Sequence, residues 1–161
     1  MSPEFIALLL LIIIANGAPV FMRFCFREHM NAAIDFGKIL ADGQRLFGAS
    51  KTWRGLAGAA VSTSLAAWLL GYPAGIGFTV AVFALLGDLL SSFIKRRLAI
   101  KPGRMALFID QIPESLLPAA ILMHEFGLHL KQLAFLVISF IIIELLLSRI
   151  FFILGVRKAP Y

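Results

Sequence analysis

Apolar runs of membrane-crossing length, separated by polar stretches, organise this chain. Residues 3–22 (PEFIALLLLIIIANGAPVFM) form the first run, close to the roughly 20 apolar residues that carry a helix across a bilayer. Residues 1–4 lack the basic start of a signal peptide, so this run reads as a span. The second, residues 55–71 (GLAGAAVSTSLAAWLLG), is rich in the small residues that let membrane helices approach closely. Tyr72-Pro73-Ala74 reads as a turn before a third run at 75–95. A fourth at 113–126 is short and needs tilt or local thinning of the bilayer. The fifth covers 132–154. The pattern predicts an all-α bundle, one integral membrane domain of five transmembrane helices, with polar loops at 23–54 and 96–112.

Composition agrees: 60% of residues are hydrophobic and 15% charged, against roughly 45–50% and about 25% for soluble domains. The single cysteine, Cys25, excludes an internal disulfide and the common Cys-rich zinc sites. The net charge of +6 suits anionic ligands and lipid headgroups, and no nucleic-acid partner is expected. Arg23, Arg27, Lys38, Arg45, Lys51 and Arg54 lie in the first loop, and Lys95, Arg96, Arg97, Lys101 and Arg104 at the second. With five spans, Arg149, Arg157 and Lys158 join the same side, so of the 15 Lys and Arg only Lys131 falls outside. The positive-inside rule then places the N-terminus outside and both loops in the cytoplasm. Trp53 and Trp68 read as interfacial anchors. The small-residue face of Gly55, Gly58, Ala59 and Ser62 packs within the bundle or against a second copy, which leaves a homodimer open.

Nearly all the polar chemistry falls in and beside these two loops. The first (NAAIDFGKILADGQRLFGASKTWRG, 31–55) alternates glycines with Asp35, Lys38, Asp42, Arg45, Lys51 and Arg54. Flexible backbone N–H groups and cations of this kind gather around anions. It is not a P-loop, which needs a glycine four residues before the GK and a preceding strand. In the third run, Asp88 sits about seven residues, or about 10 Å, from the basic end. On a helix, Ser92 lies about 40° from Asp88, Lys95 about 20° and Arg96 about 80°, while Arg97 points away. Asp88 either bonds simply to Lys95 or works with Asp110, at the start of the next span. A buried carboxylate in a membrane must be paired or face the bundle interior. Two carboxylates at one rim among cations suit Mg²⁺ holding a polyphosphate.

These residues carry a resemblance. Phe47-Gly48-Ala49-Ser50-Lys51-Thr52-Trp53-Arg54-Gly55, Gly87-Asp88, Ser92-Phe93-Ile94-Lys95-Arg96-Arg97 and Asp110-Gln111 are similar to motifs of the phosphatidate cytidylyltransferases. They are closer to those of the small CDP-archaeol synthases. Asn16, Pro19, Asp35-Phe36-Gly37 and Asp42-Gly43 also fit, and the likeness covers residues 16–111. Departures are Pro102, where the phosphatidate enzymes have an acid, and Ile112-Pro113-Glu114, where an aromatic usually follows the DQ pair of the archaeal type.

The resemblance implies a membrane cytidylyltransferase in which a lipid phosphomonoester attacks CTP and pyrophosphate leaves. Asp88 and Asp110 would hold Mg²⁺ and, with Lys95 and Arg96, form the catalytic set. Gly48, Lys51, Thr52, Arg54, Arg97 and Gln111 would bind substrate. Asp35 and Asp42 would serve a second cation or the cytidine, and Ser92 would orient Asp88 or touch a phosphate. Two other readings fit less of the chain. Asp42-Gly43 resembles the opening of a CDP-alcohol phosphotransferase motif but lacks its helix of further aspartates. An ion channel or transporter built on Asp88 and Glu144 would need cations at both ends of a path.

Overall fold

The computed structural model describes residues 2–27, 29–100 and 106–155. The expected cations Lys101, Arg104, Arg157 and Lys158, and Pro102, lie outside the described residues. Five helices follow one another: α1 Pro3–Phe26, α2 Trp53–Leu69, α3 Ala74–Arg97, α4 Gln111–Leu122 and α5 Leu130–Ile153. By length and composition α1, α3 and α5 are able to cross a membrane, with mean hydropathies of 2.5, 1.9 and 2.5. α2, at 17 residues, and α4, at 12, are shorter.

Each helix begins where backbone chemistry favours it. Ser2 caps α1 by accepting from the Phe5 N–H at 3.3 Å, with Pro3 at the first helical position. Thr52 caps α2 by accepting from the Gly55 N–H at 3.2 Å. α1 runs a turn past the expected end, through Phe26, and closes where the Arg27 N–H reaches the Arg23 carbonyl at 3.0 Å. α4 starts at Gln111 and stops at Leu122, four residues before its expected end. There the chain turns, and the Leu128 N–H reaches the Met123 carbonyl at 2.7 Å.

α3 is central, packed between α2 and α4, while α1 lies across α2 and α3 and α5 covers α4 and α1. The core joins Leu8, Leu11, Ile12 and Ala15 of α1 to Val80 and Ala84 of α3, Ala119 and Leu122 of α4, and Leu136 and Phe140 of α5. Two glycines set the helix spacing. A Cβ on Gly77 would lie 2.3 Å from the Thr63 carbonyl oxygen of α2, and one on Gly87 would lie 2.2 Å from that of Pro113 in α4. Those backbones approach only because no side chain intervenes.

The first loop folds back on itself. Residues 32–34 run beside 51–53, with Ile34 N–H to the Lys51 carbonyl at 2.8 Å and Trp53 N–H to the Ala32 carbonyl at 3.1 Å. Ile39 pairs with Arg45 in a second isolated bridge. Lys51 is thereby brought from the loop to the side of α3.

Candidate active site

Asp35 is the structural knot of the loop. Its carboxylate accepts from Arg45 Nη2 at 2.5 Å and Nε at 3.3 Å, and from the N–H groups of Gly37, Phe47 and Gly48 at 3.0, 3.2 and 2.9 Å. Burial alone would raise its pKa. The Arg45 guanidinium and the Gly48, Gly37 and Phe47 N–H groups outweigh that and hold it far below the usual carboxylate range. With these bonds made, Asp35 and the Gly48 N–H hold the loop's shape. Asp42 forms a second tie: Arg97 Nη1 lies 2.6 Å from its carboxylate, and Arg97 Nη2 donates to the Arg45 carbonyl at 2.8 Å. Arg97, which the helical projection turns away from Asp88, fastens the loop to the end of α3.

Asp35→Asn should therefore loosen the loop. The Asp35 side chain is fully buried while that of Arg45 stays 34% exposed, so the expected loss is about 2–3 kcal/mol, below the full cost of breaking a buried pair. Because folding depresses this carboxyl's pKa, its stabilisation is complete above roughly pH 4 and fades only as pH falls further, through the folded value. Limited proteolysis of residues 30–52 should separate wild type from variant at pH 7.5 and at pH 5, with the gap closing only in stronger acid.

Two ion pairs define the site beneath the loop. Lys51 Nζ contacts both oxygens of Asp88. Lys95 Nζ lies 2.7 Å from Asp110 Oδ1 and 2.9 Å from Oδ2. Asp110 also accepts from the Ala106 N–H at 3.0 Å. The pairs share one field: Lys51 feels Asp110 as well as Asp88, and Asp88 feels Lys95. Burial would lower the Lys51 pKa, but Asp88, followed by Glu114, reverses that and keeps the ammonium charged above its ordinary value. Lys95, on the same helix as Asp88, is ion-paired to Asp110, while Asp88 is hydrogen-bonded by Lys51. Its partner is 37 residues earlier in the chain.

Beside Asp88 a cleft opens between α1, α2, α3 and the loop. Ser50, Lys51, Thr52 and Asp88 form its polar end, and Pro19, Ile34, Leu56, Leu85 and Leu89 its apolar walls. Ser92 and Arg96 are buried nearby on α3, and the Nε of Arg96 has no hydrogen-bond partner among the described residues. Gln111 is fully buried; its carbonyl oxygen accepts from the Phe108 N–H at 2.8 Å while its amide nitrogen has no partner among the described residues. Arg54 is turned elsewhere. Its Nη1 donates to the Arg27 carbonyl at 3.0 Å and to that of His29, which closes the end of α1 onto α2.

Comparison with known proteins matches these motifs to a family. The CarS-like family, described as CDP-archaeol synthase, matches residues 5–73 and 72–161. The chain belongs to the CDP-archaeol synthase family. It is 35% identical over 158 residues to the CDP-archaeol synthase of Thermofilum pendens, across 92% of this chain and 76% of that protein. It is 30% identical to that of Sulfurisphaera tokodaii, across 92% and 90%. A solved structure described as an intramembrane enzyme for archaeal membrane lipid biosynthesis superposes with a TM-score of 0.72 at 30% identity, across 89% of this chain and 91% of that one. Family membership makes the chain a membrane cytidylyltransferase of lipid biosynthesis, the reaction class implied by its motifs.

In this CDP-archaeol synthase family member, sequence reasoning missed one acid. Glu114 of α4 is buried, and its carboxyl faces that of Asp88 while feeling Lys51. It stands four residues after Asp110, one turn along the helix, and an acid inside a short apolar helix is a functional signal in itself. Glu144 of α5 acts electrostatically on Glu114.

Proposed function

We propose that this protein transfers the cytidylyl group of CTP to an archaeol-type lipid phosphomonoester, with phosphatidic acid as the ester-linked counterpart, at the cytoplasmic face of the membrane. The observation that carries this reading is the pair of Lys–Asp contacts, Lys51–Asp88 and Lys95–Asp110, beside a cleft with one polar end and apolar walls. A phosphate joined to a hydrocarbon tail matches that division. The relatives' name, CDP-archaeol synthase, supports the choice of lipid, and the distribution of cations supports the orientation.

A phosphate oxygen of the lipid attacks the α-phosphorus of CTP. The new O–P bond forms as the bond to the β-phosphate oxygen breaks, and pyrophosphate leaves with the electron pair. The attacking phosphate is already anionic, so no general base is needed, and the protein's part is positioning and charge neutralisation. Lys51, Lys95 and Arg96 place positive charge against the phosphates. Thr52 lines the same polar end, Ser92 is buried one turn beyond Asp88 on α3, and the buried Gln111 amide nitrogen, without a partner among the described residues, is available to donate.

The donor set fits Mg²⁺ in one manner. Among the described residues no three His, Cys, Asp or Glu side chains converge into a cage, while Asp88 and Asp110 offer hard carboxylate oxygens from two helices. Mg²⁺ commonly takes one or two carboxylates and completes its shell with substrate phosphates. Bound there, Mg²⁺ would neutralise triphosphate charge and favour departure of pyrophosphate. Asp88 and Asp110 would hold it.

Labelled CTP tests the reading in purified, vesicle-reconstituted protein. Label in the cytidylyl moiety should enter the lipid fraction only when a lipid phosphomonoester is supplied, with one pyrophosphate released per lipid product, and fastest with an isoprenoid ether tail. Absence of lipid label with every phosphomonoester tried would defeat the assignment.

A further inference from the structure

Away from the ion-paired site, the first loop displays apolar side chains where a loop in water would display polar ones. Phe36 is 80% exposed, Met30 74%, Ile39 64% and Trp53 48%. The rings of Phe36 and Trp53 rest together, centroids 6.3 Å apart and planes at 41°. Backbone structure holds this corner outward. Phe36 has φ +44°, a left-handed conformation that a bulky residue adopts only when its surroundings enforce it. Enforcement comes from both sides: Asp35 is tied to Arg45 and three backbone N–H groups, and Trp53 is tied to Ala32. In water such a corner would be a liability.

Its neighbours indicate what covers it. The last turns of α1 present Phe21, Phe24 and Phe26, exposed by 58%, 54% and 44%, interleaved with exposed Arg23 and Arg27. Lys38 is exposed two residues beyond Phe36. The lipid-facing surface of a membrane helix therefore continues, with aromatic and basic residues mixed, into the loop. That mixture is what the headgroup layer selects: aromatic rings settle at its depth, and cations pair with anionic lipid.

We propose that the Phe36–Trp53 corner, flanked by Met30 and Ile39, inserts into the headgroup layer of the surrounding bilayer. In doing so it fixes the first loop, and with it Lys51, at the depth where lipid phosphates lie. Lys51 and Thr52 directly precede Trp53, so the depth of this corner sets the depth of the polar end of the cleft. The inference rests on the membrane-embedded reading of the chain, and its primary test reads depth and not turnover.

The chain has two tryptophans, so Trp68→Phe leaves Trp53 as the sole indole. In vesicles containing phospholipids brominated either near the headgroup end of the acyl chain or near its tip, Trp53 emission should be quenched more strongly by the shallow bromines. It should be insensitive to aqueous iodide and unchanged by saturating CTP. Adding Phe36→Asp should cut the shallow quenching about twofold and raise the KM for vesicle-borne lipid phosphate about tenfold, with the KM for CTP unchanged and Phe36→Leu near wild type. Quenching by iodide and not by bromolipid would overturn the proposal. So would protection of Trp53 by CTP, or a rise in the KM for CTP alone in Phe36→Asp, since both would mark the corner as a base-stacking platform. If Phe36→Asp fails to fold, the Trp68→Phe depth profile decides the matter alone.

Discussion

Asp88→Asn should lower cytidylyl transfer on the order of a thousandfold, the scale of losing a central electrostatic group in a site built on charge positioning. Asparagine keeps the shape of the side chain but can neither bind a divalent cation well nor neutralise Lys51. That lysine is held charged against burial chiefly by Asp88, and next by Glu114. Without Asp88 the ammonium loses its hydrogen-bonded counterion and keeps only the weaker field of Glu114 and Asp110. Asp88 and Lys51 side chains are 19% and 21% exposed, so the stability cost should be modest, about 1–3 kcal/mol, because water relieves part of an unpaired charge. Asp110→Asn should behave alike, through Lys95. Turnover of labelled CTP and thermal unfolding in detergent, measured on the same samples, check both. A variant that keeps its melting temperature and turns over at near wild-type rate would remove Asp88 from the machinery.

Gly87→Ala should be costly in a different manner. The added Cβ would lie 2.2 Å from the Pro113 carbonyl oxygen, 2.4 Å from its carbon and 2.7 Å from the Glu114 nitrogen. These are backbone atoms of α4, with no flexible side chain to swing aside, so the whole helix must retreat from α3. Overpacking of this kind costs about 1–3 kcal/mol and occasionally more. The retreat also moves Asp110 and Glu114 relative to Asp88, and a misplacement of about 1 Å can cost about a hundredfold in rate. Turnover and melting temperature should therefore fall together, unlike the pattern for Asp88→Asn. Unchanged values of both would show that the two helices do not meet as closely as Gly87 implies.

Much of this molecule is legible in its amino-acid sequence. The apolar runs place all five helices to within a few residues, and for α1, α3 and α5, which are long and apolar enough to cross a membrane, the thickness of a bilayer accounts for the length. Helix ends that differ from the pattern have local causes. α1 continues to Phe26, where the Arg27 N–H closes on the Arg23 carbonyl, and α4 stops at Leu122 because residues 123–128 close a turn. The motifs single out Asp88, Lys95, Asp110 and Lys51 as chemical residues by type and spacing.

Sequence alone therefore determined that the chain is helical and apolar, that its charge gathers at two loops, and which family chemistry those loops carry. These are properties of residue type and local period, readable along one dimension. Only the tertiary structure decided the pairings: Lys51 with Asp88, Lys95 with Asp110, Glu114 beside Asp88, and Asp35, Asp42, Arg54 and Arg97 engaged in holding the loop. Those pairings depend on how far α3 sits from α4, how α1 meets α2 or how the loop folds back. Those distances are set by packing between segments far apart in the chain, at contacts such as Gly87 against Pro113, which no helical period or local propensity encodes.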